Sequence, residues 1–255
     1  MSVPAQPPRV RLLGVDLTAL SFLDHVDLVG KWALARESRV VCVANVHMLV
    51  EARRDADFAE VIARADVLTP DGMPLVWLMR RRGARGQERV AGMDLLPCLC
   101  RRAAQDNVSV FFLGSPPGTL ATIRGRLASE LPKLVIAGME SPPFRRLTQA
   151  EDDAIVRRIA ASGAGFVFVS LGCPKQERWM DAHRGSVRAV MVGLGAAFPV
   201  YAGLAQRAPR WMQRAGLEWL YRLGREPRRL WKRYLVTNAL FLWYLTAERL
   251  LGRAR

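Results

Sequence analysis

The chain has 255 residues, of which 51% are hydrophobic and 24% charged, so it can bury a sizeable core and is not a disordered protein. Its net charge of +15 indicates an anionic partner, for which nucleic acid, an anionic membrane and a phosphorylated substrate are the candidates. The first twelve residues lack an apolar h-region, and the longest apolar stretch, near Ala239 to Leu245, is too short to span a bilayer. We therefore expect neither a secretory signal nor a transmembrane helix.

Short β-branched and aromatic runs alternate with helix-length segments up to about residue 200. The strand-like runs are Val40–Val43, Val67–Thr69, Val108–Leu113, Leu134–Ala137, Phe166–Leu171 and Ala189–Leu194. The clearest helical segments between them are Asp94–Gln105, Gly118–Leu131 and Thr148–Ala161, and Thr148 and Glu151 have capping-box spacing. This alternation predicts right-handed βαβ units, hence an α/β fold with a Rossmann-like, mostly parallel sheet flanked by helices.

Several strand-like runs end in a polar or glycine-rich turn. These turns are Ala44-Asn45, Pro70-Asp71-Gly72, Gly114-Ser115-Pro116-Pro117, Gly172-Cys173-Pro174 and Gly193-Leu194-Gly195. Ligands of open α/β sheets bind at the carboxyl ends of the strands, so the turns are expected to line one crevice. From its own turn alone, Asp71 can be a turn residue, a helix cap or a catalytic base.

The character of the sequence changes after Gly203, where strand-like runs stop and helices rich in Trp and Arg follow. From residue 202 onward, twelve basic residues face three glutamates, which places a net charge of +9 in this segment. The prediction is a Rossmann-like α/β domain over residues 1–201 and a helical, basic, amphipathic, membrane-associating appendage over residues 202–255. Within the appendage, Arg222 and Arg229 are seven residues apart and would share a helix face if the helix continued across Pro227. From there they could hold a diphosphate over the crevice.

Known phosphate and metal motifs are weak in this chain. Gly193-Leu194-Gly195 lacks the GxGxxG spacing of a dinucleotide site, and no P-loop is present. The turn from Gly114 to Gly118 is a better candidate for phosphate contact, because it offers backbone amides at a helix start. Asp55-Ala56-Asp57 has the DxD form of a cation site but follows two arginines in a polar stretch, where a solvated surface is the simpler interpretation. The histidines and cysteines show no ligand spacing, and reduced buried thiols are expected.

Two further polar groups follow predicted strands or turns. Gln176 and Glu177, in a first helical turn after Pro174, would face the crevice or would simply be surface-helix residues. Arg89, at the edge of another turn, has the same two interpretations. The residues alone leave both alternatives open.

The order of these pieces resembles the WecG/TagA/CpsF family of bacterial glycosyltransferases (glycosyltransferase family 26). The matching segments are Asn45 with its preceding strand, "TPDGMPLVW", "ERVAGMDL", "VFFLGSPPG", "VSLGCPKQERW", "VGLGAAFPVYAG" and "RAPRWMQRAGLEWLYRLGREPRR". The resemblance implies an inverting transfer from a UDP-sugar to a lipid-diphosphate-linked sugar at the inner face of the membrane, without a DxD metal site. It implies that Asp71 is the general base and that Asn45, Arg89 and Gln176 line the substrate pocket. Val43 stands where the family commonly has Thr, and this departure, together with His47, leaves the donor sugar in question.

The sequence thus predicts a UDP-sugar-dependent, metal-independent transferase in surface-polysaccharide synthesis, peripheral on the cytoplasmic membrane face. Its acceptor would be linked to undecaprenyl diphosphate, and the transferred sugar would be N-acetylmannosamine, its uronic acid or glucose. Predicted substrate-binding residues are Asn45, Arg89, Gly114, Gln176, Glu177, Gly195, Arg222 and Arg229, with Asp71 catalytic and no metal ligand. No cofactor or nucleic acid is expected, and the oligomeric state, including a homo-oligomer, is left open. The rival hypothesis is a non-enzymatic basic module that binds an anionic membrane or nucleic acid, and a dehydrogenase is weaker still. The last helix is expected to lie in the membrane interface, with an ordinary core helix as the alternative.

Overall fold

The computed structural model describes residues 7–252. Residues 1–6 and 253–255 lie outside the described part, and with them the outer ends of both predicted domains and Arg253 and Arg255 of the basic cluster. The description begins with an antiparallel hairpin, β1 (Arg9–Leu12) and β2 (Val15–Thr18), that the sequence did not predict. Its strands have only four residues each, too few for an alternating pattern to stand out. A turn with positive φ at Leu13 and Gly14 joins them.

A six-stranded sheet forms the centre of the molecule, and each predicted strand-like run overlaps one of its strands. The strands are β3 (Arg39–Ala44), β4 (Val67–Pro70), β5 (Val110–Gly114), β6 (Ile136–Glu140), β7 (Phe166–Ser170) and β8 (Val190–Gly193). They lie in the order β4-β3-β8-β7-β5-β6, and every neighbouring pair is parallel. The predicted Rossmann-like α/β fold is therefore confirmed. Strands buried on both faces by helices explain why the runs are almost continuously apolar.

Helices connect the strands and cover the sheet. Those before residue 202 are α1 (Phe22–Leu34), α2 (Val46–Arg54), α3 (Ala56–Ala63), α4 (Met73–Arg81), α5 (Gly92–Gln105), α6 (Pro117–Glu130), α7 (Gln149–Ser162), α8 (Lys175–Ala182) and α9 (Ala197–Tyr201). The predicted capping box is present at the start of α7, where Glu151 N donates to Thr148 Oγ1 at 3.3 Å and Thr148 N donates to Glu151 Oε2 at 2.9 Å.

Three helices follow residue 202: α10 (Arg210–Arg214), α11 (Glu218–Arg225) and α12 (Pro227–Gly252). The helix is not continuous across Pro227, so that premise of the sequence prediction is wrong. Glu226 leaves helical geometry, with φ −135° and ψ 57°, and Pro227 has no N–H with which to continue the hydrogen-bond ladder of α11. In the described residues, no helix is long and apolar enough to cross a membrane.

The last helix has two apolar faces with different surroundings. Leu230, Thr237 and Phe241, at spacings of seven and four, are buried, and Phe241 joins the core cluster that contains Leu49 of α2. Trp231, Leu235 and Leu242, at spacings of four and seven, form a second stripe that is exposed. One face of α12 is therefore core, as the alternative interpretation required, and the other has no partner in the described part of the chain.

Candidate active site

A cleft of about 2,100 Å³ opens at the carboxyl ends of the strands and is roofed by α11 and α12. All five predicted turns contribute to its wall. The structure brings together every predicted site residue in this lining: Asn45, Asp71, Arg89, Gly114, Gln176, Glu177, Gly195, Arg222 and Arg229. The order of the strands reverses within this sheet, since the chain passes from β3 to β4 at one edge and then crosses to β5 and β6 at the other, and α/β sheets commonly bind ligands at such a reversal.

Asp71 follows directly after β4, and its backbone N–H donates to O of Ala44, the last residue of β3, at 2.8 Å. The N-cap of α4 is Gly72 and has no side-chain hydrogen bond, so the interpretation of Asp71 as a helix cap is wrong. Its carboxylate instead accepts a hydrogen bond from Arg89, with Oδ1 3.1 Å from Nη2, and keeps 27% of the side chain exposed to the cleft. An acid held at a strand end by a single side-chain donor is free to accept a proton from a bound substrate.

The charge state of Asp71 depends on three neighbours. Withdrawal from bulk water inside the cleft raises the pKa of Asp71 above its ordinary value. Arg89 opposes this shift, Glu218 of α11 adds to it, and Arg222 opposes it more weakly. Asp71 is therefore a stronger base than an exposed aspartate, which suits proton abstraction near neutral pH.

Arg89 lies between Asp71 and the helices that follow residue 202. Its Nη2 is 2.6 Å from Glu218 Oε2, and its Nε also donates to the Asp71 carbonyl. Arg89 and Glu218 side chains are each only 16% exposed. The interpretation of Arg89 as an ordinary surface residue is therefore excluded.

Asn45 closes β3 and begins α2. Its Oδ1 accepts from Met48 N at 3.1 Å, so the residue is the N-cap of the helix. This cap fixes the amide group at the cleft wall and leaves its NH₂ group without a partner in the described part of the chain. Val43, the position of the family departure, lines the cleft one residue before the end of the same strand.

Two glycines shape the cleft floor. Gly114 has φ +102°, and a Cβ at this position would lie 2.3 Å from Ser170 O, so no other residue fits. Gly195 has φ +47°, and its carbonyl accepts from Ser170 Oγ at 2.8 Å. The turn after Gly114 is poorer in amide donors than the sequence suggested, because Pro116 has no N–H and Ser115 N donates to Ser170 O at 3.2 Å.

Gln176 and Glu177 lie in the first turn of α8, and neither is a surface-helix residue. Gln176 is 5% exposed, accepts from Gly172 N at 3.2 Å and donates from Nε2 to Glu177 Oε1 at 2.8 Å. Glu177 is fully buried beneath the floor, and its Oε2 has no partner in the described part of the chain. Burial raises the pKa of Glu177, which favours its protonated form.

A group of basic side chains also lines the cleft. Arg222 comes from α11, and Arg229 and Arg233 come from α12. Arg229 pairs with Glu226 at 2.5 Å, whereas neither Arg222 nor Arg233 has a carboxylate within 4.0 Å in residues 7–252. Sequence reasoning missed Arg233 as a site residue, although its i,i+4 spacing from Arg229 was a usable signal. Partial withdrawal from water lowers the pKa of Arg233, and the positive charges of Arg222 and Arg229 act in the same direction, so this group of arginines favours an incoming anion.

The DxD segment is occupied by structural contacts. Asp55 caps α3 by accepting from Phe58 N at 2.9 Å, and its Oδ2 is 2.6 Å from Arg178 Nη2. Asp57 is exposed on the first turn of the same helix. Over residues 7–252, no group of three or more His, Cys, Asp or Glu side chains has the geometry to hold a metal ion.

Comparison with known proteins gives one family. The sequence model described as "Glycosyl transferase WecG/TagA/CpsF family" matches residues 10–255. A protein of Bacillus subtilis (strain 168) is 30% identical over 236 residues, which cover 92% of this chain and 89% of that protein. A protein of Bacillus spizizenii (strain W23) is 33% identical over 222 residues, which cover 87% of this chain and 83% of that protein. Both relatives are named N-acetylglucosaminyldiphosphoundecaprenol N-acetyl-beta-D-mannosaminyltransferase.

Proposed function

The chain belongs to the WecG/TagA/CpsF family and is a glycosyltransferase, and from this premise we propose that it moves N-acetylmannosamine from a UDP-sugar to N-acetylglucosaminyl-diphospho-undecaprenol. The choice of sugar and acceptor follows the names of the two relatives. The uronic acid and glucose are the competing donor sugars, because Val43 and His47 depart from the family pattern beside the predicted donor site. Family membership replaces the earlier alternatives of a non-enzymatic basic module and a dehydrogenase.

The observation that carries the proposal is a carboxylate of raised pKa that lines the same cleft as a group of arginines. In the proposed reaction, the acceptor hydroxyl oxygen attacks the anomeric carbon of the donor from the face opposite UDP. The new C–O bond forms as the bond to the β-phosphate oxygen breaks, and that oxygen keeps the bonding electron pair. The hydroxyl proton passes to Asp71, which begins the step as a carboxylate and ends it as a carboxylic acid.

The departing UDP and the acceptor each carry a diphosphate, so the site must accommodate several negative charges. Arg222, Arg229 and Arg233 supply fixed positive charge, and guanidinium groups can bind phosphate oxygens through two parallel hydrogen bonds. We assign to them the diphosphate of the lipid-linked acceptor.

The lipid chain of the acceptor has an apolar exit along α12. Tyr234, Phe241, Leu242 and Leu245 continue the cleft wall beyond the arginines. An undecaprenyl chain whose diphosphate lies at Arg229 would pass along these side chains toward the outer stripe of the helix. This arrangement supports an acceptor that stays partly in the membrane during transfer.

We propose that the outer stripe docks the protein on the cytoplasmic face of an anionic membrane. Trp231, Leu235 and Leu242 expose 49%, 65% and 64% of their surfaces. Arg228 and Lys232 are exposed close to this stripe at the beginning of the helix. Aromatic, aliphatic and basic residues together are typical of helices in the headgroup region, and each basic residue adds about 1 kcal/mol near an anionic surface.

The test is transfer by the purified full-length chain with UDP-N-acetylmannosamine, its uronic acid and UDP-glucose, each with N-acetylglucosaminyl-diphospho-undecaprenol. Release of UDP and mass analysis of the lipid product measure the reaction. We expect a disaccharide product with UDP-N-acetylmannosamine. A product with another donor would correct the sugar, and no product with any of them would overturn the proposed donor or acceptor.

A further inference from the structure

We propose that Glu218 is a positioning residue that holds Arg89 against Asp71, so that the base site is complete only while residues 208–218 lie on the α/β domain. This inference rests on the proposed function for the role of Asp71 as the base. The two residues of the pair come from distant parts of the chain, since Arg89 and Glu218 are 129 residues apart in sequence.

Arg89 is almost saturated by protein acceptors. Its Nη2 donates to Asp71 Oδ1 and Glu218 Oε2, its Nε donates to the Asp71 carbonyl, and its Nη1 is 3.4 Å from Gln213 Oε1. Four of the five N–H groups of a guanidinium are thereby used. Arg89 therefore connects protein groups to one another, and we assign diphosphate binding to the arginines of α11 and α12.

The α/β domain fixes the position of the backbone beside Arg89. Val90, the next residue, donates from its N–H to Pro70 O at 2.9 Å and accepts from Thr69 Oγ1 at 3.1 Å. The backbone beside Arg89 is consequently tied to β4, immediately before Asp71. The Arg89 side chain cannot reach Glu218 unless α11 lies over the end of that strand.

The segment that carries Glu218 is seated closely on the domain. Gly216 has φ +70°, and a Cβ there would lie 2.8 Å from Trp77 Cη2, so the chain passes over the indole ring without a side chain. Gln213 is held in turn, because its Nε2 donates to Ala208 O at 2.7 Å. Both contacts help to place Gln213 Oε1 and Glu218 Oε2 where they accept hydrogen bonds from the guanidinium of Arg89.

The charge arrangement has a chemical consequence beyond geometry. An arginine paired with Asp71 alone would stabilise its carboxylate and make it a poor base. Glu218 shares the guanidinium and adds a second negative charge, which moves the pKa of Asp71 in the opposite direction. The other charged group acting on Asp71 is Arg222, on the same helix as Glu218, which lowers its pKa.

The experiment compares Glu218→Gln with Glu248→Gln in the full chain. Glu248 is the matched control, since it also ties the last helices to the domain, through Arg82 at 2.6 Å, but does not line the cleft. Glu218→Gln keeps an oxygen acceptor for Arg89 and removes only the charge. We expect the acid limb of the kcat profile to move to lower pH. We also expect kcat to fall about tenfold, a small part of what a general base contributes, while KM stays within about twofold.

Two further measurements keep the inference testable if a variant is unstable or turnover is not found. Gln213→Glu places an added carboxylate beside Arg89 and should move the acid limb to higher pH, opposite to Glu218→Gln. The ¹³C chemical shift of the Asp71 carboxyl, assigned with Asp71→Asn, follows the same titration without any substrate. If wild type shows no transfer, the proposed function fails, but opposite shifts of this titration in the two variants would still support the inference. An unchanged titration, or Glu218→Gln behaving like Glu248→Gln, would overturn it.

Discussion

Replacing Asp71 by Asn should separate catalysis from stability. Asn keeps the size of the side chain and an oxygen acceptor for Arg89 Nη2, now 3.1 Å from Asp71 Oδ1, but it cannot take the acceptor proton. We expect turnover to fall by about 10²–10⁴-fold, the range for loss of a general base, while donor affinity changes little. The measurements are kcat from UDP release and donor binding by calorimetry.

The same substitution should not destabilise the fold at neutral pH. The raised pKa of Asp71 in the folded chain means that ionisation of this group costs folding free energy once the pH exceeds its unfolded pKa. Asn removes that cost, and Arg89 remains paired with Glu218. The expected change in unfolding free energy is between zero and about 1 kcal/mol in favour of the variant, or at most about 2–4 °C in Tm for a chain of this size.

The difference in Tm between Asp71→Asn and the wild type should depend on pH. At acidic pH Asp71 is protonated in both folded and unfolded chains, so the Tm advantage of the variant should disappear there. Asp57→Asn, at an exposed position outside the cleft, is the matched control for both readouts. Near-normal turnover of Asp71→Asn would remove the residue from the mechanism. A clear loss of stability at neutral pH would refute the charge argument.

Three further perturbations test other parts of the site. Turnover should persist in EDTA, because the Asp55 carboxylate already accepts from Phe58 N and pairs with Arg178. A loss of turnover in EDTA that Mg²⁺ or Mn²⁺ restores would contradict this expectation. Trp231→Ser should bind anionic vesicles about tenfold more weakly in a sedimentation assay, because an aromatic contact with the membrane is lost. Val135→Ser is the control, since Val135 is exposed at the other end of the strands and its replacement should leave binding unchanged. Equal binding of the two variants would contradict the docking surface. Arg233→Gln should raise KM for a water-soluble diphosphate acceptor analogue by about tenfold or more, as expected for a lost charged hydrogen bond, and an unchanged KM would exclude Arg233 from the diphosphate site.

The sheet was predictable because its signal is local. Strands buried on both faces must be apolar along their whole length, and each such run is bounded by residues that stop it, as Pro70 and Gly114 do. The positions of the turns then follow from parallel pairing, which brings their carboxyl ends to one edge. Asp71 and Asn45 can therefore be placed in the same cleft from the sequence alone.

The parts that sequence reasoning missed depend on long-range contacts or on short elements. The β1–β2 hairpin is attached to β4 by Leu68 N, which donates to Thr18 Oγ1 at 3.1 Å, and no local pattern encodes that bond. Burial of Glu177 depends on how α8 packs beneath the floor, since its sequence neighbours are polar. The pairing of Arg89 with Glu218 requires the path of the chain between them.

The last helix shows why two incompatible interpretations were both reasonable. A helix that is apolar on most of its circumference is typical of a buried core element, yet only the face with Leu230 and Phe241 is buried here. Its basic residues divide in the same way. Arg229 and Arg233 line the cleft, whereas Arg228 and Lys232 are exposed outside it.

This division bears on the origin of the net charge. A positive charge that served only to attract the protein to a membrane would be most effective on the outer surface of α12. The cleft instead contains nine basic side chains against five acidic ones, and Arg222, Arg229 and Arg233 are among the basic ones that line it together with Asp71. The electrostatic field of charges in a low-dielectric cleft acts on a ligand that enters it, so these residues favour binding of an anionic substrate directly. Because Arg228 and Lys232 lie less than one turn from Arg229 and Arg233 along the same helix, a membrane surface bound on the outside would hold a lipid diphosphate next to the cleft arginines.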